Sequence, residues 1–191
     1  ANRGIDPWMP GEGVQVVLPT QHILPRAPRQ GIVINLPEMR LYYYLPAQGD
    51  FRQVVTYPIS IGRFDWRTPL GVTNISQKVP NPSWTPPESI RIEHAAKGDI
   101  LPPVVPAGPD NPLGQFALRL GVPGYLIHGT NKPYGIGMRV THGCLRLYPE
   151  DIAALFGQVT PGLRVNFVSQ PFKVGQAFGV TYLEVHQPLR E

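Results

Sequence analysis

Proline and glycine recur along the whole of this sequence, and their frequency limits the chain to short regular elements. Among 191 residues there are 24 prolines and 20 glycines, whereas charged residues make up only 16%. Proline cannot continue a helix or donate within a central strand, and both residue types favour turns. Hydrophobic residues reach 42% without a repeat period, which is ordinary for a globular protein. The sequence therefore predicts short strands joined by many turns.

Dense strand patterns start at residue 31, after a segment of different composition. Residues 1–30 hold one short strand pattern, at residues 14–18, among proline, glycine and aspartate, which is typical of a linker or a remnant. From residue 31, "GIVINL" and "RLYYYL" predict a hairpin around "PEM", and strand patterns continue to "GVTYLEVH" near the end. The chain therefore predicts one mainly β domain, and its length allows a core that needs no disulfide or structural metal.

Two stretches depart from the strand pattern. "PEDIAALFGQV" predicts a short helix, since proline is favoured first in a helix and Glu150 and Asp151 suit the positive end of its dipole. Residues 78–113 show little regular pattern, and an irregular stretch of this length inside a compact domain is usually functional. We expect this proline-rich segment to form one wall of a binding groove.

Charge and hydropathy exclude several classes of protein. The net charge is +4, but Lys and Arg are scattered, so the clustered patch of a nucleic-acid-binding protein is absent from the sequence. No apolar stretch reaches the roughly 18 residues of a membrane span, and no signal peptide is visible. The sequence starts without Met, which suggests a mature or trimmed chain. With one cysteine, an intramolecular disulfide is impossible.

The single cysteine lies in "IHGTNKPYGIGMRVTHGCLRL", together with two of the five histidines. Twelve residues separate His128 from Thr141, and this glycine-containing loop allows the segments that it joins to lie side by side. Their ends, His128 and Cys144, could then come within hydrogen-bonding distance, where a base activates a thiol. Gly143 permits a bend before the cysteine, so that successive backbone N–H groups converge as an oxyanion hole. This pattern indicates a nucleophilic cysteine.

Two other interpretations of the same residues stay open at this point. A lone cysteine is commonly a small buried hydrophobic residue. His128, His142 and Cys144 are also potential metal ligands, but a closed zinc site normally takes four protein ligands and there is no second cysteine. We therefore expect no metal and no other cofactor, since "GIG" at residues 135–137 is too weak a motif to indicate a nucleotide site.

The same stretch resembles the signature of the L,D-transpeptidase catalytic domain family, which is a histidine, a loop and then [Ser/Thr]-His-Gly-Cys. Here the signature consists of His128 followed by residues 141–144. Other segments, among them "GIVINLPEMRLYYY", "VVPAGPDNPLG" and "YLEVHQPL", are similar to the periplasmic enzymes of Gram-negative bacteria that attach murein lipoprotein to peptidoglycan. The resemblance implies a β-sandwich or barrel-like catalytic domain over residues 31–191, with one or two short helices. Residues 1–30 resemble the tail of a LysM peptidoglycan-binding motif followed by a linker.

The resemblance also implies acyl transfer through a cysteine thioester. Cys144 is expected to attack the carbonyl of the third residue of a peptidoglycan stem and to release the terminal D-Ala, with His128 as general acid and base. The carbonyl of Gly129 is expected to fix the tautomer of the imidazole. The backbone amides of His142, Gly143 and Cys144 are expected to bind the oxyanion.

Further residues are expected to bind substrate. Arg146 stands where many family members have Asn, so no role carries over, but its guanidinium fork suits a substrate carboxylate. A structural salt bridge is the alternative for Arg146. Thr141, Tyr134 and Trp84 are expected to line the groove, although tryptophan and tyrosine more often serve in packing. The loop before Thr141 is slightly shorter than the usual spacing of the signature.

As partners the resemblance implies peptidoglycan stem peptides as acyl donors and murein lipoprotein as acyl acceptor, in the periplasm, at a site that carbapenems target. The accepting amine is the C-terminal lysine of the lipoprotein or the diaminopimelate of another stem. With water as acceptor, the same chemistry gives an L,D-carboxypeptidase or an amidase that releases the lipoprotein. A non-catalytic wall-binding module is the alternative from a different class. No residue in the sequence decides between the acceptors.

Overall fold

The computed structural model describes residues 2, 4–6, 9–50, 52–63 and 68–189. The strands and helices of this part of the chain are, in order, β1 (Gly31–Asn35), β2 (Arg40–Tyr44), β3 (Val54–Pro58), β4 (Ile61–Gly62), β5 (Gly71–Pro80), α1 (Glu88–Ala95), β6 (Phe116–Leu120), β7 (Leu126–His128), β8 (Arg139–Thr141), β9 (Leu145–Arg146), α2 (Pro149–Gln158), β10 (Arg164–Val168), β11 (Phe172–Ala177) and β12 (Val180–Val185). The predicted mainly β fold with one or two short helices is confirmed.

The largest sheet has the strand order β3-β2-β1-β10-β5-β6-β7-β9. Within it β1 and β10 are parallel, and so are β7 and β9, whereas the other neighbours are antiparallel. Two smaller pairs complete the described strands, β4 parallel to β8 and β11 antiparallel to β12. The hairpin β1–β2 is therefore connected to β5 and the strands beyond it through β10, which pairs with both β1 and β5.

The first hairpin forms as its sequence predicts, and both of its faces are buried. β1 pairs with β2 from Gly31 opposite Tyr44 to Asn35 opposite Arg40. Since successive side chains of a strand point to opposite faces, half of them enter the main core and half enter a second cluster. Leu24 and Ala27 cover this second cluster. Residues that the sequence assigns to a linker thus pack against the β domain.

The helix α2 covers the main core next to the sheet. Pro149 is its first residue, as predicted, and Glu150 and Asp151 lie in the first turn, where the helix dipole favours negative charge. Ile152 and Leu155, three residues apart, are buried on one face. None of the helices in the described ranges is long and apolar enough to cross a membrane.

Two sequence predictions are wrong. Residues 14–18 form no strand, because the side chain of Asn2 bonds both the N–H and the carbonyl of Val17, at 2.8 and 2.9 Å, where a partner strand would be needed. Residues 78–113 are not uniformly irregular, since they begin in β5 and contain α1. This helix has no side-chain cap and buries only Ile90, so its periodic pattern is weak.

A buried ionic cluster ties the residues before β1 to β11 and β12. The ammonium nitrogen of Lys173 lies 2.7 Å from Glu38, 3.0 Å from Glu184 and 2.5 Å from the carbonyl oxygen of Ile23. The side chains of Lys173 and Glu38 are almost inaccessible, and a buried charge needs this kind of compensation. His22, Glu38 and Glu184 also have the spacing of metal ligands, but Lys173 supplies the positive charge among them.

Candidate active site

The pairing of β7 with β9 places His128 and Cys144 at the same edge of the largest sheet. The strands run parallel, with Ile127 opposite Leu145 and His128 opposite Arg146, so Cys144 lies beside the start of β7. Ile127 and Leu145 point into the core. The alternate residues His128, Cys144 and Arg146 therefore share the other face of the sheet edge. The two segments lie side by side, as their connecting loop predicted.

One ring nitrogen of His128 is occupied by a backbone carbonyl. Nδ1 lies 2.6 Å from the carbonyl oxygen of Gly129, which can only accept, so Nδ1 carries the proton and Nε2 has the lone pair. Burial lowers the pKa of His128 to about 3, and the charge of Arg146 acts in the same direction, while the backbone carbonyls of Gly129 and Leu113 favour the charged form and oppose this effect. At neutral pH this imidazole is uncharged and can act as a base.

The thiol of Cys144 is partly buried and is protonated at neutral pH. Burial raises its pKa above the ordinary value, while a backbone hydrogen bond at Leu126 and the charge of Arg146 oppose this effect. Sγ lies 3.6 Å from the carbonyl oxygen of Gly124, a distance that suits a weak S–H donor. A protonated thiol beside a neutral imidazole becomes nucleophilic when the imidazole removes its proton.

Residues 141–144, called here the signature turn, contain two backbone N–H groups for which the described residues provide no acceptor. Gly143 has a φ of +99°, a conformation that glycine adopts at little cost. Within the part of the chain that the structure describes, the N–H groups of Gly143 and Cys144 donate to no acceptor. Amides of this kind can bind a developing oxyanion. Thr141 is buried and its hydroxyl donates to the Cys144 carbonyl at 2.5 Å, so its position favours closing the turn over lining the groove.

Arg146 brings a guanidinium group to the same face. Its backbone N–H and carbonyl exchange hydrogen bonds with Ser60 at 3.2 and 2.9 Å. Its Nε is buried and has no hydrogen-bond partner among the described residues, and none of the described carboxylates forms an ion pair with it. Among the described residues, the alternative of a structural salt bridge thus finds no partner. Burial lowers the pKa of Arg146, and Cys144 and the exposed Tyr134, on the 3-10 turn Pro133–Gly135, act in the opposite direction.

The side chain of His142 joins the signature turn to α1. Its Nε2 lies 2.8 Å from Oε2 of Glu93 and 3.1 Å from Nη2 of Arg63. Arg63 also binds Glu93 through both terminal nitrogens, at 3.0 and 2.7 Å, and Lys97 binds it at 2.8 Å. The hydrogen bonds of Arg63, Lys97 and His142 lower the pKa of Glu93, so it is a carboxylate at neutral pH. No sequence pattern indicated this contact, because it depends on where a short helix docks.

Within residues 78–113, Trp84 is half-buried, whereas Asn111 is fully buried. The backbone N–H and carbonyl of Trp84 each bond Val105 at 2.8 Å, which anchors this half-buried residue inside the segment. Asn111 is fully buried and donates to the carbonyls of Pro82 and Pro106, both at 2.9 Å. The strand pairing that assembles the cysteine site includes neither residue. Asn111 was not predicted, since an asparagine among prolines looks like any turn residue.

A single thiol, a neutral imidazole oriented by a backbone carbonyl and amides without acceptors are together typical of enzymes that transfer acyl groups through a cysteine. Residues 29–167 match the YkuD family, described as the L,D-transpeptidase catalytic domain. The chain belongs to this family. The membership predicted from His128 and residues 141–144 is thereby confirmed.

Curated relatives from Escherichia coli (strain K12) match almost the whole chain. The chain is 52% identical over 196 residues to the probable L,D-transpeptidase YcfS, covering 100% of the chain and 60% of that protein. The probable L,D-transpeptidases ErfK/SrfK and YbiS are each 47% identical over 99% of the chain, which covers 60% and 61% of their lengths. The chain thus spans about 60% of the length of these relatives.

Solved structures share the fold at low sequence identity. An L,D-transpeptidase of Enterococcus faecium aligns with a TM-score of 0.53 and 19% identity, over 73% of this chain and 49% of that one. L,D-transpeptidase 3 of Mycobacterium tuberculosis aligns with a TM-score of 0.50 and 18% identity, over 72% of this chain and 60% of that one. At these identities the comparison concerns the fold alone.

Proposed function

We propose that this chain is a cysteine-dependent L,D-transpeptidase that acts on the tetrapeptide stems of peptidoglycan. Family membership and relatives that are named as probable L,D-transpeptidases, at about 50% identity, support this reaction class. The observation that carries the proposal is the parallel pairing of β7 with β9, because it puts a neutral His128 and the thiol of Cys144 on one face of the sheet.

In the first half-reaction Nε2 of His128 accepts the Sγ proton of Cys144 while Sγ attacks the carbonyl carbon of the third stem residue. The carbonyl oxygen becomes an oxyanion and accepts hydrogen bonds from the amides of His142, Gly143 and Cys144. The bond to the D-Ala nitrogen then breaks, and the imidazolium returns the proton to that nitrogen. The products are a thioester on Cys144 and free D-Ala. The carbonyl of Gly129 holds the ring and stabilises its charged form.

In the second half-reaction an amine attacks the thioester carbonyl and His128 accepts a proton from it. The C–S bond breaks, an amide forms, and the proton passes to the departing sulfur, which restores the thiol. We propose the C-terminal lysine of murein lipoprotein as the amine, with the diaminopimelate of another stem as the other acceptor. Because both substrates are parts of the cell envelope, the proposed site of action is the periplasm.

Arg146 is the proposed recognition group for a carboxylate of the stem. Its buried Nε has no partner among the described residues, and a buried donor without a partner is costly unless a ligand satisfies it. The guanidinium fork matches a carboxylate in two parallel hydrogen bonds. Tyr134, which is exposed beside it, is proposed to border the same groove.

The test is intact-mass spectrometry of the protein with tetrapeptide muropeptides, in the presence and absence of a peptide ending in lysine. We expect a covalent adduct equal to the stem minus D-Ala, no adduct on Cys144→Ala, and an amide product once the lysine peptide is added. An adduct on Cys144→Ala would overturn the mechanism. Loss of the adduct to water alone would indicate an L,D-carboxypeptidase or an amidase, and muropeptide binding without an adduct would indicate a wall-binding module. A carbapenem serves as a second acylating probe of Cys144.

We propose that residues 78–113 form one wall of the acceptor groove, with Trp84 against the aliphatic part of the incoming lysine. The docking of α1 on the signature turn through Glu93 supports a place for this segment beside Cys144. In Trp84→Ala, release of D-Ala should stay nearly intact while transfer to the amine falls. Equal loss in both half-reactions, together with a lower melting temperature, would reduce Trp84 to a packing residue.

A further inference from the structure

The signature turn is held from outside by two residues that no part of the signature includes. The hydroxyl of Thr68 donates to the carbonyl oxygen of Gly143 at 3.0 Å, and the backbone N–H of Arg63 donates to the carbonyl oxygen of Thr141 at 2.9 Å. Arg63 follows β4 and Thr68 precedes β5, so both belong to the connection between these strands. This connection therefore contacts the turn at two of its peptide groups.

The bond from Thr68 has a direct consequence for the neighbouring amide. In a trans peptide the carbonyl and the N–H of one plane point in opposite directions, and no cis peptide bond occurs in the described residues. Holding the Gly143 carbonyl toward Thr68 thus turns the N–H of Cys144 the other way. The N–H of Cys144 is one of the two N–H groups in the signature turn that have no acceptor among the described residues.

We propose that Thr68 is a positioning residue for the oxyanion hole, acting through the Gly143–Cys144 peptide plane. The proposal rests on the acyl-transfer function proposed above. Without the hydroxyl this plane has little to fix it, because glycine accepts both signs of φ and Gly143 has no side chain to resist rotation. The next plane is secured independently, since Thr141 donates to the carbonyl of Cys144. The orientation of the Cys144 amide therefore depends on Thr68.

The variant Thr68→Val removes the hydroxyl with little change in shape, and Thr68→Ser retains it. An oxyanion-hole donor is usually worth about 10²–10³ in rate, so a mispositioned one should cost roughly 10- to 100-fold. We expect this loss in the acylation rate of Thr68→Val, with KM unchanged and with recovery in Thr68→Ser. Thr56→Val is the matched control, because its hydroxyl also donates to a backbone carbonyl, at 3.0 Å, but within the sheet.

Two reagents separate positioning from a general structural effect. Acylation by p-nitrophenyl acetate passes through a tetrahedral oxyanion, whereas alkylation by iodoacetamide does not. Thr68→Val should therefore slow ester acylation and leave the alkylation rate as in the wild type. Equal loss with both reagents, or no loss with the ester, would overturn the role of Thr68. If Thr68→Val fails to fold, Thr68→Ala is measured with the same pair of reagents.

Acylation by p-nitrophenyl acetate also tests the role of Thr68 independently of the proposed transpeptidase function. Failure of the wild type to release D-Ala from muropeptides would contradict the proposed transpeptidase function. Ester acylation would still compare wild type, Thr68→Val and Thr68→Ser at the same thiol. A wild type that turns over muropeptides while Thr68→Val does so at an equal rate would contradict Thr68 alone.

Discussion

The resting charges of Cys144 and His128 determine how the thiol becomes nucleophilic. Burial raises the pKa of the thiol and lowers the pKa of the imidazole to about 3, so at neutral pH both groups are uncharged. A thiolate–imidazolium pair requires the opposite order, with the imidazole more basic than the thiol. In the proposed mechanism, proton transfer is therefore part of the attack on the substrate and does not precede it.

This charge assignment predicts the pH dependence of alkylation. We expect the rate at which iodoacetamide labels Cys144 to rise about tenfold per pH unit around neutral pH, because the thiolate fraction grows in this proportion below the thiol pKa. The chain has one cysteine, so intact mass reports this residue alone and Cys144→Ser is the blank. A rate that has already levelled off in mild acid would reveal a preformed thiolate and contradict the assignment.

For Arg146 the informative change is Arg146→Lys, which keeps the charge and loses the fork. We expect kcat/KM for D-Ala release to fall by about 10- to 150-fold, equivalent to roughly 1.5–3 kcal/mol for hydrogen bonds to a charged group. The matched control is a stem whose diaminopimelate carboxylate is amidated, on which variant and wild type should turn over alike. If kcat/KM of Arg146→Lys fell by the same factor on both stems, Arg146 would not recognise the diaminopimelate carboxylate.

At the scale of secondary structure, the elements that could be predicted are those with local signals. The hairpin β1–β2 and the helix α2 have their apolar pattern, turn residues and Pro149 within a few positions of one another. Helix α1 could not be predicted, because it buries little and follows a proline-rich stretch. The parallel pairing of β7 with β9 depends on the assembly of the whole sheet. The sequence could therefore suggest that the segments of His128 and Cys144 lie side by side, but not which strand pairing places them there. Glu93 and Thr68 were missed for the same reason.

Asn111 connects distant parts of segment 78–113 through hydrogen bonds of its side chain. It is fully buried, its amide donates to Pro82 and Pro106, and its oxygen accepts the N–H of Leu113 at 2.9 Å. We expect Asn111→Ala to lower the free energy of unfolding by about 2–4 kcal/mol, since each buried group left without a partner costs about 1–3 kcal/mol. Urea unfolding measures this loss.

Two further variants give this prediction its controls. Asn111→Asp keeps the size but directs a carboxylate at the backbone carbonyls, so it should be at least as destabilising as Asn111→Ala. Asn131→Ala removes an exposed amide that bonds the carbonyl of Asp110 at 3.0 Å, and it should cost less than about 0.5 kcal/mol. If Asn111→Ala were as mild as Asn131→Ala, the segment would owe its shape to its prolines instead.

On the scale of the whole molecule, residues 22–27, shortly before β1, pack against the β domain. The side chain of Gln170 bonds both the N–H and the carbonyl of Arg26 at 2.8 Å, in the manner of a neighbouring strand. Ile23 donates to Glu184 at 2.7 Å and accepts from the buried Lys173. Ile23 and Arg26 are therefore docked on the domain, and the assignment of residues 1–30 to a LysM-like tail stays a prediction.

The same buried groups predict how the whole molecule responds to acid. Burial lowers the pKa of His128 from 6.5 to about 3, so between these values the unfolded chain binds a proton that the folded chain does not. The free energy of unfolding should therefore fall as the pH drops through this range, by on the order of 5 kcal/mol at about 1.4 kcal/mol per pKa unit. Burial lowers the pKa of His22 as well, which adds in the same direction.

A second loss is expected at lower pH from Glu184. Although burial raises its pKa, hydrogen bonds from His186, Ile23 and Lys173 outweigh that effect and lower it from 4.5 to about 2. The stabilisation is present above pH 4.5 and disappears as the pH falls toward 2, since the unfolded carboxylate takes up its proton first. The two losses therefore occupy different, overlapping ranges of pH.

Urea unfolding at a series of pH values separates these contributions. His128→Gln has a side chain that cannot titrate, so its slope of stability against pH should be shallower than that of the wild type from pH 6.5 down to about 4.5. Glu184→Gln should keep the wild-type slope of stability against pH in that range. Below about pH 4.5 its slope should be shallower than that of the wild type, because the glutamine cannot take up the proton that Glu184 binds on unfolding. An unchanged slope in His128→Gln would mean that the imidazole takes up its proton at the same pH in the folded and the unfolded chain, which would contradict the lowered pKa of His128. The imidazole would then be protonated in mild acid, and Nε2 would be unable to accept the thiol proton there.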